Sequence, residues 1–302
     1  MSSSRSRRAG RPKPAAAPVD ALLKGLRAIR GDRSHGAAFL ADAALRRLEA
    51  FLKTREPRAP RRSRAEWRAI ARGWRDAQPS MGPFLRGGEE LGRIARTSPS
   101  PERAARDWVR RMHRGTAQDA IRLRSVGRRA LPPRACVVTM SRSATVLDLL
   151  TALPRRDRPR EVRVLRSLPG GEGSAQAADL RARGLWARTY ADRPRRRALR
   201  GADIVLVGAD AVLPGGRLVH KVGTRPLARA AHLASVPFAS IADRSKVVRR
   251  LPAGWRAARG FDVTPARWVT AYWLPDGVRR PGAVGGGRRR RRAARGPAKV
   301  DK

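Results

Sequence analysis

The sequence predicts an α/β protein in two parts: a helical N-terminal domain, then a parallel-sheet domain with helices on both faces. Three observations predict it. Residues 19 to 128 place apolar side chains at helical spacing. Near 135 the pattern changes to short Val/Ile-rich runs separated by amphipathic helices, the alternation that builds parallel sheets. A chain of 302 residues with 41% hydrophobic content can bury a sizeable core.

Residues 1 to 18 are rich in Ser, Arg, Pro and Ala and have little to bury, so they read as a disordered basic arm. In "AAFLADAALRRLEAFL", Phe39, Leu40, Ala43, Ala44 and Leu48 form a core-facing stripe, and Trp67, Ile70, Ala71 and Trp74 repeat it. A further helix starts at 101, where Ser100 can cap it, Pro101 suits the first turn and Glu102 complements the dipole. Residues 129 to 278 then supply the strands "ACVVTM", "EVRVLRS", "DIVLVGAD" and "VPFASIAD". From 279 to 302 glycine, proline and five consecutive arginines predict a disordered tail.

The formal charge is +45, from 69 Lys and Arg against 24 Asp and Glu, and would attract any polyanion. Arginine supplies most of it, a pattern that GC-rich coding explains as well as nucleic-acid binding does. Aromatic residues make up only 5% and fall at core spacing, so no base-stacking module is recognisable, and nucleic acid is left as a nonspecific partner of the Arg-rich tails. One cysteine, Cys136, excludes a disulfide framework and a multi-cysteine metal site. No run approaches the roughly 18 apolar residues of a membrane span, and the N-terminus lacks an apolar targeting core, so the expectation is a cytoplasmic protein without a membrane partner. "GGEGSAQ" lacks the full spacing of a dinucleotide fingerprint, and no cofactor is expected.

In a parallel α/β sheet, ligands bind at the carboxyl ends of the strands. The first strand gives way to Ser141, Ser143 and Thr145 at a helix start, which is either a phosphate cradle or an ordinary cap. The second ends in the Gly-rich "RSLPGGEGS". The third, "DIVLVGADAVLPGGRLVHKVGT", sets Asp210 at the sheet edge, and "LPGG" turns Lys221, Gly223 and Thr224 back toward it. The last delivers Asp243, Arg244 and Lys246.

This string of motifs resembles the translation initiation factor 2B alpha/beta/delta subunits, a superfamily shared with methylthioribose-1-phosphate and ribose-1,5-bisphosphate isomerases. "GADAVLPGGRLVHKVGT" is similar to the family's "GAD…NG…NKxGT", and "FDVTPARWVTAYWLPDGV" to its C-terminal run. "IRGDRSHGA", with Arg30, Gly31 and Gly36, and "QPSMGP" match motifs nearer the start.

The resemblance implies a Rossmann-like second domain, a homodimer formed through it, and a phosphorylated sugar or nucleotide held between the domains. It places ligand contacts at Arg30, Gly31, Ser141, Ser143, His220, Lys221, Gly223, Thr224 and Lys246. In the isomerases a cysteine and the "GAD" aspartate move the sugar carbonyl; by position these are Ser141 and Asp210 here. A serine hydroxyl cannot act as the acid that a thiol can without an activating base. Cys136, about 16 Å of strand away and on the other face, reads as a core thiol. The family's "ExRP" Glu and Arg stand here as Arg166 and Leu168, and its Asn as His220. Three readings follow: an initiation-factor-like metabolite binder without cysteine-dependent chemistry, an aldose-ketose sugar-phosphate isomerase using Asp210, or a nucleic-acid-associated protein acting through its Arg-rich tails.

Overall fold

The structure, a computed structural model, describes residues 18–32, 34–55 and 60–284. The basic arm up to residue 17 and the tail from 285 lie outside the described residues.

Five helices form the first domain: α1 (Pro18–Gly31), α2 (Ala37–Lys53), α3 (Pro60–Ala77), α4 (Gly82–Thr97) and α5 (Pro101–Ala130). Their shared core includes Leu40, Leu48, Trp67, Ile70 and Trp74. Phe39 departs from the expected stripe. It is 51% exposed and stacks on His35, ring centroids 4.0 Å apart. Glycine lets α3 and α4 meet closely: a Cβ on Gly88 would lie 2.6 Å from that of Arg75.

Ser100 holds the cap position of α5 but its hydroxyl makes no cap bond. Glu102 does more than complement the dipole, accepting from Arg55 Nε (2.8 Å), Ser63 Oγ (2.9 Å) and Trp67 Nε1 (3.2 Å). The 30-residue α5 also runs past the boundary placed at 128, packing Trp108 into the helical core and Leu123 and Val126 into the core of the sheet domain.

The second domain follows as β1 (Cys136–Met140), α6 (Ala144–Ala152), β2 (Glu161–Leu165), α7 (Glu172–Ala182), β3 (Ala187–Tyr190), α8 (Arg196–Leu199) and β4 (Ile204–Val207). It continues through β5 (Ala211–Leu213), β6 (Arg217–Lys221), α9 (Thr224–Leu233), β7 (Phe238–Ile241), β8 (Phe261–Thr264), β9 (Ala271–Leu274) and β10 (Gly277–Arg279). The main sheet has the order β10-β9-β7-β4-β1-β2-β3, parallel except for β10 at its edge. From β1 the chain winds outward to β3, then returns to β4 and winds the other way. The switch point of this Rossmann-like sheet therefore lies between β1 and β4.

Burial follows from the alternation of helices and strands. Val137, Val164 and Leu206 pack into one core; Val138, Leu165 and Val207 pack into another. A second sheet of antiparallel strands, β5-β6-β8, stands at the end of β4. Packed structure also continues past 278, where Val284 is 3% exposed in the core.

Candidate functional site

Ser141 and Asp210 follow the two strands that flank the switch point. β4 ends at Val207, and Gly208 and Ala209 carry the chain to Asp210. There is no room for a side chain at 208, because a Cβ would clash with Ser143 Oγ. Asp210 N–H donates to Val219 O at 2.9 Å, tying the acid to the β5-β6 hairpin. Gly82 N–H donates to Asp210 O at 2.7 Å, tying it to the helical domain.

The opening between the domains is lined from above by Asp32, His35, Gly36, Gln78 and Met81, and from below by Ser141, Arg142, Glu172, Asp210 and Lys221. A connected cleft of about 450 Å³ extends past Ser143, Gln176, His220 and Lys246.

Asp210 is 8% exposed, and no side chain among the described residues hydrogen-bonds its carboxyl. Burial raises it from 3.8 to about 6, although Lys246 and Lys221 pull the other way. His220 is driven down from 6.5 to about 3, by burial first and then by the same two lysines. It is neutral at pH 7, with Nδ1 2.9 Å from Thr224 Oγ1.

Lys221 forms an ion pair with Glu172, and Lys246 Nζ lies 3.6 Å from Asp243. Two acceptors are unspent: Glu172 Oε2 and Gln176 Oε1 are buried without a hydrogen-bond partner. At the mouth, burial of Asp32 is outweighed by hydrogen bonds from His35 and Ser34, which hold its carboxyl at about 2.

Ser141 takes the left-handed conformation, φ 62°, and its N–H donates to Ser167 Oγ at 2.7 Å. No base among the described residues accepts from its hydroxyl. Ser143 caps α6, its Oγ accepting from Val146 N–H at 3.3 Å. Cys136 is fully buried, and burial pushes its thiol up.

The cleft thus gathers Ser141, Ser143, Asp210, His220, Lys221 and Lys246. Four other expected ligand contacts sit elsewhere. Arg30 and Gly31 are exposed at the end of α1 and are not part of the lining, which begins at the next residue, Asp32. Thr224 is fully buried, donating to Lys221 O at 2.6 Å, so it shapes the turn beneath the lysine. Gly223 N–H and Arg225 N–H donate to Asp262, so a carboxylate already occupies the N-terminus of α9.

Glu172, Gln176, Arg142 and Asp32 were missed in the sequence. Glu172 lay in the Gly-rich turn and Asp32 within "IRGDRSHGA", but a cross-strand partner leaves no trace in local spacing.

A parallel sheet with its cleft at the switch point, closed by a helical domain and holding a buried acid between lysines, defines a two-domain α/β protein built around an anion-compatible centre. The model of the Initiation factor 2 subunit family matches residues 97–259, and the chain belongs to that family. It is 29% identical over 188 residues to an eIF-2B subunit 2-like protein of Pyrococcus horikoshii, covering 58% of this chain and 67% of that protein. It is 30% identical over 220 residues to a ribose 1,5-bisphosphate isomerase of Haloferax volcanii, covering 70% and 66%. The crystal structure of the P. horikoshii translation initiation factor eIF-2B superposes with a TM-score of 0.71 at 25% identity, covering 86% of this chain and 97% of that one. Among the described residues no helix is long and apolar enough to cross a membrane.

Proposed function

We propose that the chain binds a phosphorylated sugar or nucleotide in the interdomain cleft and acts as a 2B-like binding protein without cysteine-dependent isomerisation. The observation that carries this reading is the pairing of an intact Asp210-lysine centre with an unactivated serine at position 141. An entering phosphate would compete with Glu172 for Lys221, while Gln176 and Glu172 hold acceptors for sugar hydroxyls. In the same reading the protein is cytoplasmic, pairs with a second copy through its sheet domain, and holds nucleic acid only nonspecifically through its tails.

One observation favours a second reading. A carboxyl poised at about 6 exchanges a proton near neutral pH, as an aldose-ketose isomerase using Asp210 and a bound water would need.

Calorimetric titration with ribose 1,5-bisphosphate, methylthioribose 1-phosphate and a nucleoside monophosphate tests the first reading. Micromolar binding to at least one, weakened about tenfold or more in Lys221→Ala, is expected. Binding by none overturns it. Proton NMR of the same mixtures decides between the readings: isomer interconversion that disappears in Asp210→Asn establishes the second.

A further inference from the structure

On the opposite side of the turn that carries Lys246 lies a second concavity, a groove of about 750 Å³ between α4, α5 and residues 243 to 250. Of the residues the sequence set at a strand end, Asp243 and Arg244 line it. It is ringed by arginine, and the carboxylates near it are largely engaged. Glu90 pairs with Arg93 at 2.7 Å and stands 3.8 Å from Arg111. Asp119, 3% exposed, takes both the backbone N–H and the guanidinium of Arg244. Asp243, also on the wall, accepts from Ser245 N–H at 2.9 Å and lies 3.6 Å from Lys246.

Seven guanidinium groups thus line the groove against four carboxylates, three of them already engaged. Arg96, Arg249 and Arg250 are exposed and have no carboxylate within ion-pair distance among the described residues. Arg86 is half-buried and donates to Arg244 O. Burial first, and then the charge of Arg249, weigh against its cation and outweigh the support of Asp243, Glu89 and Asp119.

Like charges held in one concavity, part of them desolvated, are a standing electrostatic cost unless an anion fills it. Guanidinium forks match phosphate oxygens in bidentate pairs. The groove has the size of a small-molecule site. Its arginines ring a hollow rather than line a track, and its aromatic wall residue, Trp108, is only 6% exposed, leaving no platform on which bases could stack.

We propose that this groove is a second anion site, distinct from the Asp210 cleft, that takes a compact small molecule carrying two or more phosphate groups.

The test is calorimetric titration of the full chain with inorganic tripolyphosphate in about 0.15 M salt, where contributions from dispersed surface charge are screened. Saturable micromolar binding is expected. Because Arg249 and Arg250 are exposed, the double variant Arg249→Ala/Arg250→Ala should fold normally and bind at least about tenfold more weakly, whereas Lys221→Ala should retain wild-type affinity. Equal affinity in the double variant would place binding outside the groove, on the terminal arginines or in the Asp210 cleft, and overturn the proposal, as would loss of binding in Lys221→Ala or no saturable binding at all. Tighter binding of single-stranded oligouridylate than of tripolyphosphate, lost in the same double variant, would make the groove a nucleic-acid surface and refute it too.

Discussion

Replacing Asp210 with asparagine should make the protein more stable, by an amount that depends on pH. The carboxyl titrates at 3.8 when unfolded and at about 6 when folded, so between these values the native state holds a proton that the unfolded state has released. The sign follows: stability falls as pH rises through this window, then levels off above about 6. At roughly 1.4 kcal/mol for each pKa unit, the penalty is on the order of 1–2 kcal/mol at pH 5 and about 3 kcal/mol at pH 8, already net of the attraction to Lys221 and Lys246. Asparagine has the same shape and does not ionise. Urea unfolding of wild type and Asp210→Asn at pH 5 and pH 8 measures the difference directly, and all other titrating groups cancel in it. The variant should gain at both values and gain more at pH 8. Parallel pH profiles, or a variant less stable at pH 8, would refute the reasoning, since either would mean that the lysines fully compensate the buried charge. A residue whose ionised form weakens the fold is what a functional site retains at the expense of stability.

His220 has the opposite pH dependence. Its folded value of about 3 against 6.5 unfolded means that its contribution is complete above about pH 6.5 and lost as pH falls. By pH 5 wild type should have lost about 2 kcal/mol on this account; His220→Asn should show a correspondingly flatter acid limb in urea unfolding, and an unchanged limb would count against a buried neutral imidazole. At Gly208 a Cβ would lie 3.0 Å from that of Ser143 and closer still to its hydroxyl. Gly208→Ala should therefore cost about 1–3 kcal/mol by overpacking and loss of the α6 cap, read as a lower Tm with helix content retained. A wild-type Tm would show that the switch point is looser than described.

The sheet domain was legible because β1, β4 and β7 are mostly apolar runs, a signature that burial on both faces imposes, while β2 alternates Val162 and Val164 with Glu161 and Arg163. β3, β9 and β10 were not picked out as strands: "ARTY" is polar, "GVR" is only three residues long, and "AYWL" follows directly on the turn-rich "FDVTPARWVT" with no separating punctuation. "LPGG" correctly signalled a turn, but not that β5 and β6 leave the main sheet and that β6 pairs with β8, a partner some forty residues on. Phe39 was misplaced for a physical reason: periodicity identifies an apolar position but not whether a partner layer covers it. At the site, Asp210 and Lys221 were legible as strand-end polar residues. That Asp262, rather than a ligand, occupies the N-terminus of α9 depends on a contact between distant segments and leaves no local pattern.

The loop between α3 and α4 has a consequence for how the chain unfolds. Besides the bond from Gly82 to Asp210, Pro79 O accepts from Trp255 Nε1 at 2.7 Å and Ser80 Oγ accepts from Ala258 N–H at 2.7 Å. A Cβ on Gly82 would lie 2.6 Å from the backbone of Lys246, so the two domains meet here without an intervening side chain. Separation of the domains breaks all of these bonds. The amide hydrogens of Gly82 and Ala258 therefore report on that separation, Gly82 from a buried position and Ala258 from a partly exposed loop that can also open locally. A ligand that bridges the cleft would slow both together, while one confined to the arginine groove need not.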